Sequence, residues 1–193
     1  MEANSQLSRG DRARLEAAER CAELYVARGT TGLTVAEITA AIGIAPRTFH
    51  RHFPTKAESI APIFDWTTRQ FNAAIVTAPT DAPLREVARL AFTRSLGDQQ
   101  LDRTRALFPL VFADPDMWAV FLRKLHDGET SLAPVLAPRL GVDPASLSAR
   151  TAAAVIASAT RIALETMANS GDDAETVYLH ALDAFTSETI RRL

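Results

Sequence analysis

The stretch from Thr34 to Phe53, TVAEITAAIGIAPRTFHRHF, restricts this chain more than any other segment, because it reads as two short helices joined by a tight turn. Val35, Ile38 and Ile42 recur at three- and four-residue spacing and make one apolar stripe on the first helix. Gly43 ends that helix, since glycine enters the left-handed region without a side-chain clash. Ile44 is apolar within the turn, as a residue plugging the corner between crossing helices should be. Pro46 suits the opening turn of the second helix, where a missing N–H costs nothing. Phe49 and Phe53 follow one turn apart and face inward, which leaves Arg47, Thr48, His50, Arg51 and His52 outward. The preceding segment, residues 9–28, offers Leu15, Ala18, Cys21, Leu24 and Tyr25 as a third packing face, so that three helices can enclose one small core.

The remaining sequence repeats the helical pattern. Alternation of apolar and polar residues never persists, and β-branched residues do not cluster between turns, so strands are not expected. The spacing predicts about nine helices, near 9–28, 34–42, 46–52, 55–77, 82–95, 98–112, 115–136, 144–169 and 173–191. Thr34 with Glu37, and Thr55 with Glu58, have the spacing of capping boxes. Asp114, Asp143 and Asp172 are expected caps that complement the positive end of a helix dipole, and Gly29, Gly97, Gly141 and Gly171 stand where helices should stop. The expected fold class is all-α: a three-helix head over 1–54 and a helical body over 55–193.

Charge and cysteine content narrow the function classes. The net charge of the 193 residues is −2, which excludes a basic-tail mode of nucleic-acid binding for the whole molecule. Through Lys56, however, 8 basic residues stand against 6 acidic, a net +2, leaving −4 for the rest. With one cysteine, Cys21, there is neither an intrachain disulfide nor a cysteine-based metal cage; among Ala18, Leu24 and Tyr25 it reads as a small core filler rather than a reactive thiol. The first 30 residues lack the apolar core of a secretory signal and no apolar run has spanning length, so a cytoplasmic protein is expected.

The outward face of the 46–52 helix carries donors of several kinds and no acid, as a surface meeting phosphates and base edges requires. A short second helix with such a face is what enters the major groove in helix-turn-helix proteins. Arg47, Arg51 and Lys56 could also form an ordinary solvated face; their place beside a glycine-broken helix pair favours DNA. These residues, LYVARG followed by TVAEITAAIGIAPRTFHRHFPTKAES, resemble the head of the TetR family of repressors, strongly over about 12–60 and in length and helix order over the whole chain. The resemblance implies that Thr48, His50 and His52 lie on DNA with Lys56 near a phosphate; Thr34, opening the first helix of the pair, would reach another phosphate. The family usually has tyrosine at the position of His50 and a serine cap at that of Ala45.

In the body, large rings (Phe64, Phe92, Phe108, Trp118 and Phe121 among them) accompany a helix of mostly small residues, AAAVIASATRIALETMA. Two copies of that helix and of the last one, with Val177, Leu179, Leu182, Phe185 and Ile190, would form a two-fold homodimer. Ser158, Arg161 and Glu165 share one stripe, either as a surface ion pair or as a polar lining suited to an anionic head group. The stretch VFADPDMWAVFLRKL, then LAPRLGVD, is similar to a TetR subgroup whose sensing domain takes acyl-thioester-like or lipophilic ligands, which implies an effector site including Trp118, Phe121, Leu122 and Arg161. No nucleophile elbow, glycine-rich phosphate loop, HExxH or paired-carboxylate motif is present, so neither an enzyme, a metal centre nor a cofactor is expected. The partners implied are operator DNA, a small-molecule effector and a second copy of the chain. The rival reading is a helical lipid or ligand carrier that has kept a regulator-like head.

Overall fold

The computed structural model describes residues 7–96 and 98–186. Within them the chain forms nine α-helices and no strand: α1 Arg9–Arg28, α2 Val35–Ile42, α3 Pro46–His52, α4 Ala61–Thr77, α5 Leu84–Leu96, α6 Asp98–Ala113, α7 Pro115–Leu140, α8 Leu147–Ser170 and α9 Ala174–Thr186. The all-α expectation therefore holds, and most ends fall where the punctuation put them. Gly29, Gly43, Gly141 and Gly171 all take positive φ at helix ends. Gly97 and Ile190 lie outside the described residues.

Three boundaries differ for local reasons. The helix expected from 55 begins instead as a single 3-10 turn, Ala57–Ile60, before α4. Pro62 has no N–H to give the Glu58 carbonyl, and the Ala61 N–H serves that carbonyl with a tighter bond. The Thr55–Glu58 box is also only half made: Thr55 Oγ1 accepts from the Glu58 N–H at 3.3 Å, while the Glu58 carboxylate accepts from Arg123. Secondly, α7, which holds Pro134 and Pro138, continues past 136 to Leu140. Both prolines are exposed, so the carbonyls they leave unpaired face water. The Arg139 guanidinium then ties this last turn to the end of α4, donating to the carbonyls of Ile75, Ala78 and Pro79. Thirdly, the caps of α8 and α9 are Ser146, whose hydroxyl accepts from Ala149 N–H at 3.2 Å, and Asp173, which accepts from Thr176 N–H at 2.9 Å, each a little after the expected Asp143 and Asp172. Asp114 caps α7 as expected, accepting from the N–H groups of Asp116 and Met117.

The chain packs as two compact units, one made of the residues up to Trp66 with Asp102–Lys124, the other of Thr67–Leu101 with the residues from Leu125 onward. In the first, α1, α2 and α3 close on Ala18, Cys21, Tyr25, Ile38, Phe49 and Phe53, all with no exposed surface. Leu24, expected on that face, is only half-buried, and Ala22 takes its place. The Tyr25 hydroxyl meets Ser59 Oγ at 3.0 Å inside this core. Next to the head, Phe64 packs edge-on against Phe121 at 5.4 Å, within a ring cluster that includes Phe108, Phe112 and Trp118. In the second unit, α5 and α9 are joined by Arg85 forked on Asp183 (2.7 and 2.8 Å), by Arg89 on Glu175 and by Phe92 stacked on Tyr178 at 4.2 Å. Ala149, Ala153, Ala159 and Ala163 are buried along α8, where small side chains let neighbouring helices approach.

Candidate nucleic-acid interface and ligand cavity

The head presents α3 by burying its other side. Phe49 and Phe53 are wholly inaccessible and pack edge to face at 5.0 Å, which fixes the helix rotation about its axis. Ala45 opens α3 with no side-chain hydrogen bond, and Pro46 occupies the first position. With the rings inside, Arg47, His50 and Arg51 stand fully outward, and Thr48 and His52 are half-buried beside them. No acidic residue lies on α3. His52 is held below the ordinary imidazole pKa, first by burial and then by the positive charges of Arg51 and Arg14.

The other two expected contacts are already engaged within the chain. Thr34 caps α2 in a complete box: its hydroxyl oxygen accepts from the Glu37 N–H at 3.2 Å, and its own N–H and O–H both donate to Glu37 Oε2, at 2.8 and 2.7 Å. Those bonds hold the Glu37 carboxyl below its usual pKa. An anion already sits at the start of α2, and a phosphate there would have to displace it. Lys56 donates to the Thr31 carbonyl at 2.9 Å, leaving two of its three N–H donors for an outside partner. Arg14 on α1 is a residue that the sequence pattern did not single out. Its charge acts on His52, and its Nε has neither solvent nor a hydrogen-bond partner among the described residues. It lies one position from Leu15 on the packing face, and nothing in the local sequence separates such an arginine from a solvated one.

Cys21 is fully buried, and burial pushes its thiol up to about 12. Among the described residues no group of three or more His, Cys, Asp or Glu could hold a metal ion, and no helix is long and apolar enough to cross a membrane.

The residues expected around an effector are divided between the two units. Trp118 and Phe121 belong to the ring cluster of the first unit, stacked at 5.4 Å, and Leu122 is exposed. Arg161 belongs to the second unit, where both oxygens of Glu165 accept from its Nη1 at 2.8 and 2.9 Å. The second unit has a partly open cavity of about 80 Å³ between α4, α5, α7 and α8. Phe71, Leu125, Leu132 and Ile156 form its apolar walls, with Asn72, Ser95, Glu129 and Thr160 as polar points. Gly128 belongs to the wall because α7 comes so near α4 there that an added Cβ would lie 3.3 Å from Thr68 Oγ1. No local pattern marks this site, since four separate helices supply it.

Residues 15–58 match the sequence family described as bacterial regulatory proteins, tetR family. Residues 79–190 match the family described as the MftR C-terminal domain. The HTH-type transcriptional regulator TcmR of Streptomyces glaucescens is 34% identical over 130 residues, which span 63% of this chain and 57% of that protein. Two solved structures share the fold, each with a TM-score of 0.56. One is a chain titled as a TetR-family transcriptional regulator from Mesorhizobium loti MAFF303099 (19% identity, 93% of this chain and 97% of that one), the other a chain so titled from Rhodococcus sp. (16% identity, 90% and 96%).

Proposed function

Because this chain belongs to the TetR family of bacterial regulatory proteins, we propose that it is a cytoplasmic, sequence-specific DNA-binding repressor released from a palindromic operator by a small lipophilic effector. Residues 1–54 carry the DNA-reading function and 55–193 carry effector binding and dimerisation. The observation that supports this best is the asymmetry of α3: two inaccessible phenylalanines on one side, and Arg47, His50 and Arg51 exposed on an acid-free other side. Arg47 and Arg51 supply forked donors for phosphate or guanine, Thr48, His50 and His52 shorter-range contacts to base edges, and Lys56 a charge on the flanking phosphate. Thr34 joins them only where a phosphate takes the place of Glu37.

Two copies paired through α8 and α9 place two reading helices in major grooves separated by about 34–36 Å or a multiple of it. An effector that favours a dimer with a different separation weakens operator binding by its differential affinity for the two states. The test is an operator selected from a random duplex library, followed by titration at several salt concentrations. Affinity should fall steeply with salt, by close to one logarithmic slope unit per phosphate neutralised. A chain that selects no sequence and binds DNA without a salt dependence is not an operator-binding protein.

A further inference from the structure

The cavity of the second unit offers hydrogen-bond acceptors where an anion-binding site would offer donors. Asn72 decides the matter first. Its Nδ2 donates to Ser131 Oγ at 3.0 Å, and Ser131 in turn donates to the Gly128 carbonyl at 2.9 Å. That relay fixes which end of the amide is which, and it leaves Asn72 Oδ1 shut off from solvent with no partner among the described residues. Two lining hydroxyls have spent their hydrogens in the same way: Ser95 donates to the Phe92 carbonyl at 2.8 Å and Thr160 to the Ile156 carbonyl at 2.9 Å. What each still presents is oxygen lone pairs. Glu129 adds a carboxylate, and no lysine, arginine or histidine lies among the lining residues. The donors that remain are neutral: the second hydrogen on Asn72 Nδ2, and the Thr68 hydroxyl, which turns either way.

Buried acceptors select against ligands that cannot donate to them, because the mismatch leaves both sides unpaired. A ligand carboxylate would add its charge to that of Glu129. The expected counter-group for an anion, Arg161, is absent from the lining and holds Glu165 instead. Resting on the effector reading above, and narrowing it, we infer that this cavity takes a compact lipophilic amine. Its ammonium bonds to Asn72 Oδ1 and faces the Glu129 carboxylate, and its apolar body lies against Phe71, Leu125, Leu132 and Ile156.

Four probes of one skeleton test this by calorimetry and thermal shift on the full chain: 2-phenylethylamine, 2-phenylethanol, phenylacetate and ethylbenzene. The amine should bind tightest, the alcohol about tenfold more weakly, and phenylacetate more weakly again. Glu129→Gln should bring the amine down to the level of the alcohol. Asn72→Leu should weaken amine and alcohol alike while ethylbenzene is unaffected; should that variant not fold, the half-buried Glu129→Gln carries the test. Phenylacetate binding as well as the amine, or no binding by either donor, overturns the assignment. Amine binding in this order of preference without release of the selected operator leaves the assignment standing and removes the switching reading. Release of that operator by phenylacetate and not by the amine removes the assignment alone.

Discussion

The Lys56 ammonium donates to the Thr31 carbonyl at 2.9 Å, pinning the entrance of the 3-10 turn Ala57–Ile60 to the loop that leads into α2. The residue that the family resemblance assigns to a phosphate thus also holds the head together, and stability and DNA affinity should respond to it together.

Arg47 separates the two effects. It is exposed on α3, so Arg47→Ala should change unfolding free energy by less than about 0.5 kcal/mol while lowering the salt slope of operator binding by about 1. Lys56→Ala should lower the slope too, and in addition cost about 1 kcal/mol, because a half-buried carbonyl loses a charged donor. Urea titrations beside salt-dependent binding of both variants resolve this; equal stability of the two would show that the Lys56–Thr31 bond contributes nothing to the head.

His52 predicts opposite responses of stability and binding to acid. Burial and the charges of Arg51 and Arg14 hold its pKa below the ordinary value of about 6.5. The folded chain therefore binds fewer protons than the unfolded one. Its contribution to stability is present above the unfolded pKa and is lost as pH falls through the lower folded pKa. Phosphates nearby favour the imidazolium and raise that pKa in the complex, so operator affinity should increase as pH falls from about 7.5 toward 6. In His52→Gln the increase should shrink; an unchanged pH dependence in that variant would place His52 away from the DNA.

The fold was legible because its signals are local. Three- and four-residue apolar spacing, the cap at Thr34 and the turn glycines each act within one or two turns of helix, and Phe49 and Phe53 are buried as their spacing predicts. Where longer-range contacts compete, the reading slipped. Pro138 does not end α7, because it is open to solvent and Arg139 secures the turn to α4. Glu58 gives its carboxylate to Arg123, a residue far along the chain. The reading face follows from α3 alone and could be read directly. The cavity is assembled from α4, α5, α7 and α8, and no periodicity indicates that Asn72 will keep an unpaired oxygen there.

Ala45 offers a gain in stability. It sits at the cap position of α3 with φ −69° and ψ 145°, the backbone shape a capping serine uses, yet provides no side-chain acceptor. The Thr48 N–H already donates to the Ala45 carbonyl at 2.8 Å, so Ala45→Ser adds a hydroxyl oxygen chiefly for the N–H of Arg47 and should stabilise the head by about 0.5–2 kcal/mol. Chemical denaturation measures this, and a change smaller than about 0.3 kcal/mol would mean that solvent already serves that N–H equally well.

Asp114 ties the same loop from the other side, and its behaviour in acid can be derived from its partners. Burial works to raise its pKa but is outweighed by the Thr31 hydroxyl donating at 2.8 Å, the N–H groups of Met117 and Asp116, and the Lys56 charge, so the carboxyl is held below its ordinary value. A depressed carboxyl pKa stabilises the folded chain above the unfolded value of about 3.9, and that contribution is lost as pH falls through the folded value. Asp114→Asn keeps a side-chain oxygen to cap α7 but forfeits the charge, so at neutral pH it should be less stable than the parent by about 1 kcal/mol. As the parent's own carboxylate becomes protonated in acid, the two proteins should converge. Urea midpoints compared at pH 7 and pH 3 read the convergence directly. A gap of constant size would mean that Asp114 acts through its shape alone and that Lys56 and Thr31 do not favour its charged form.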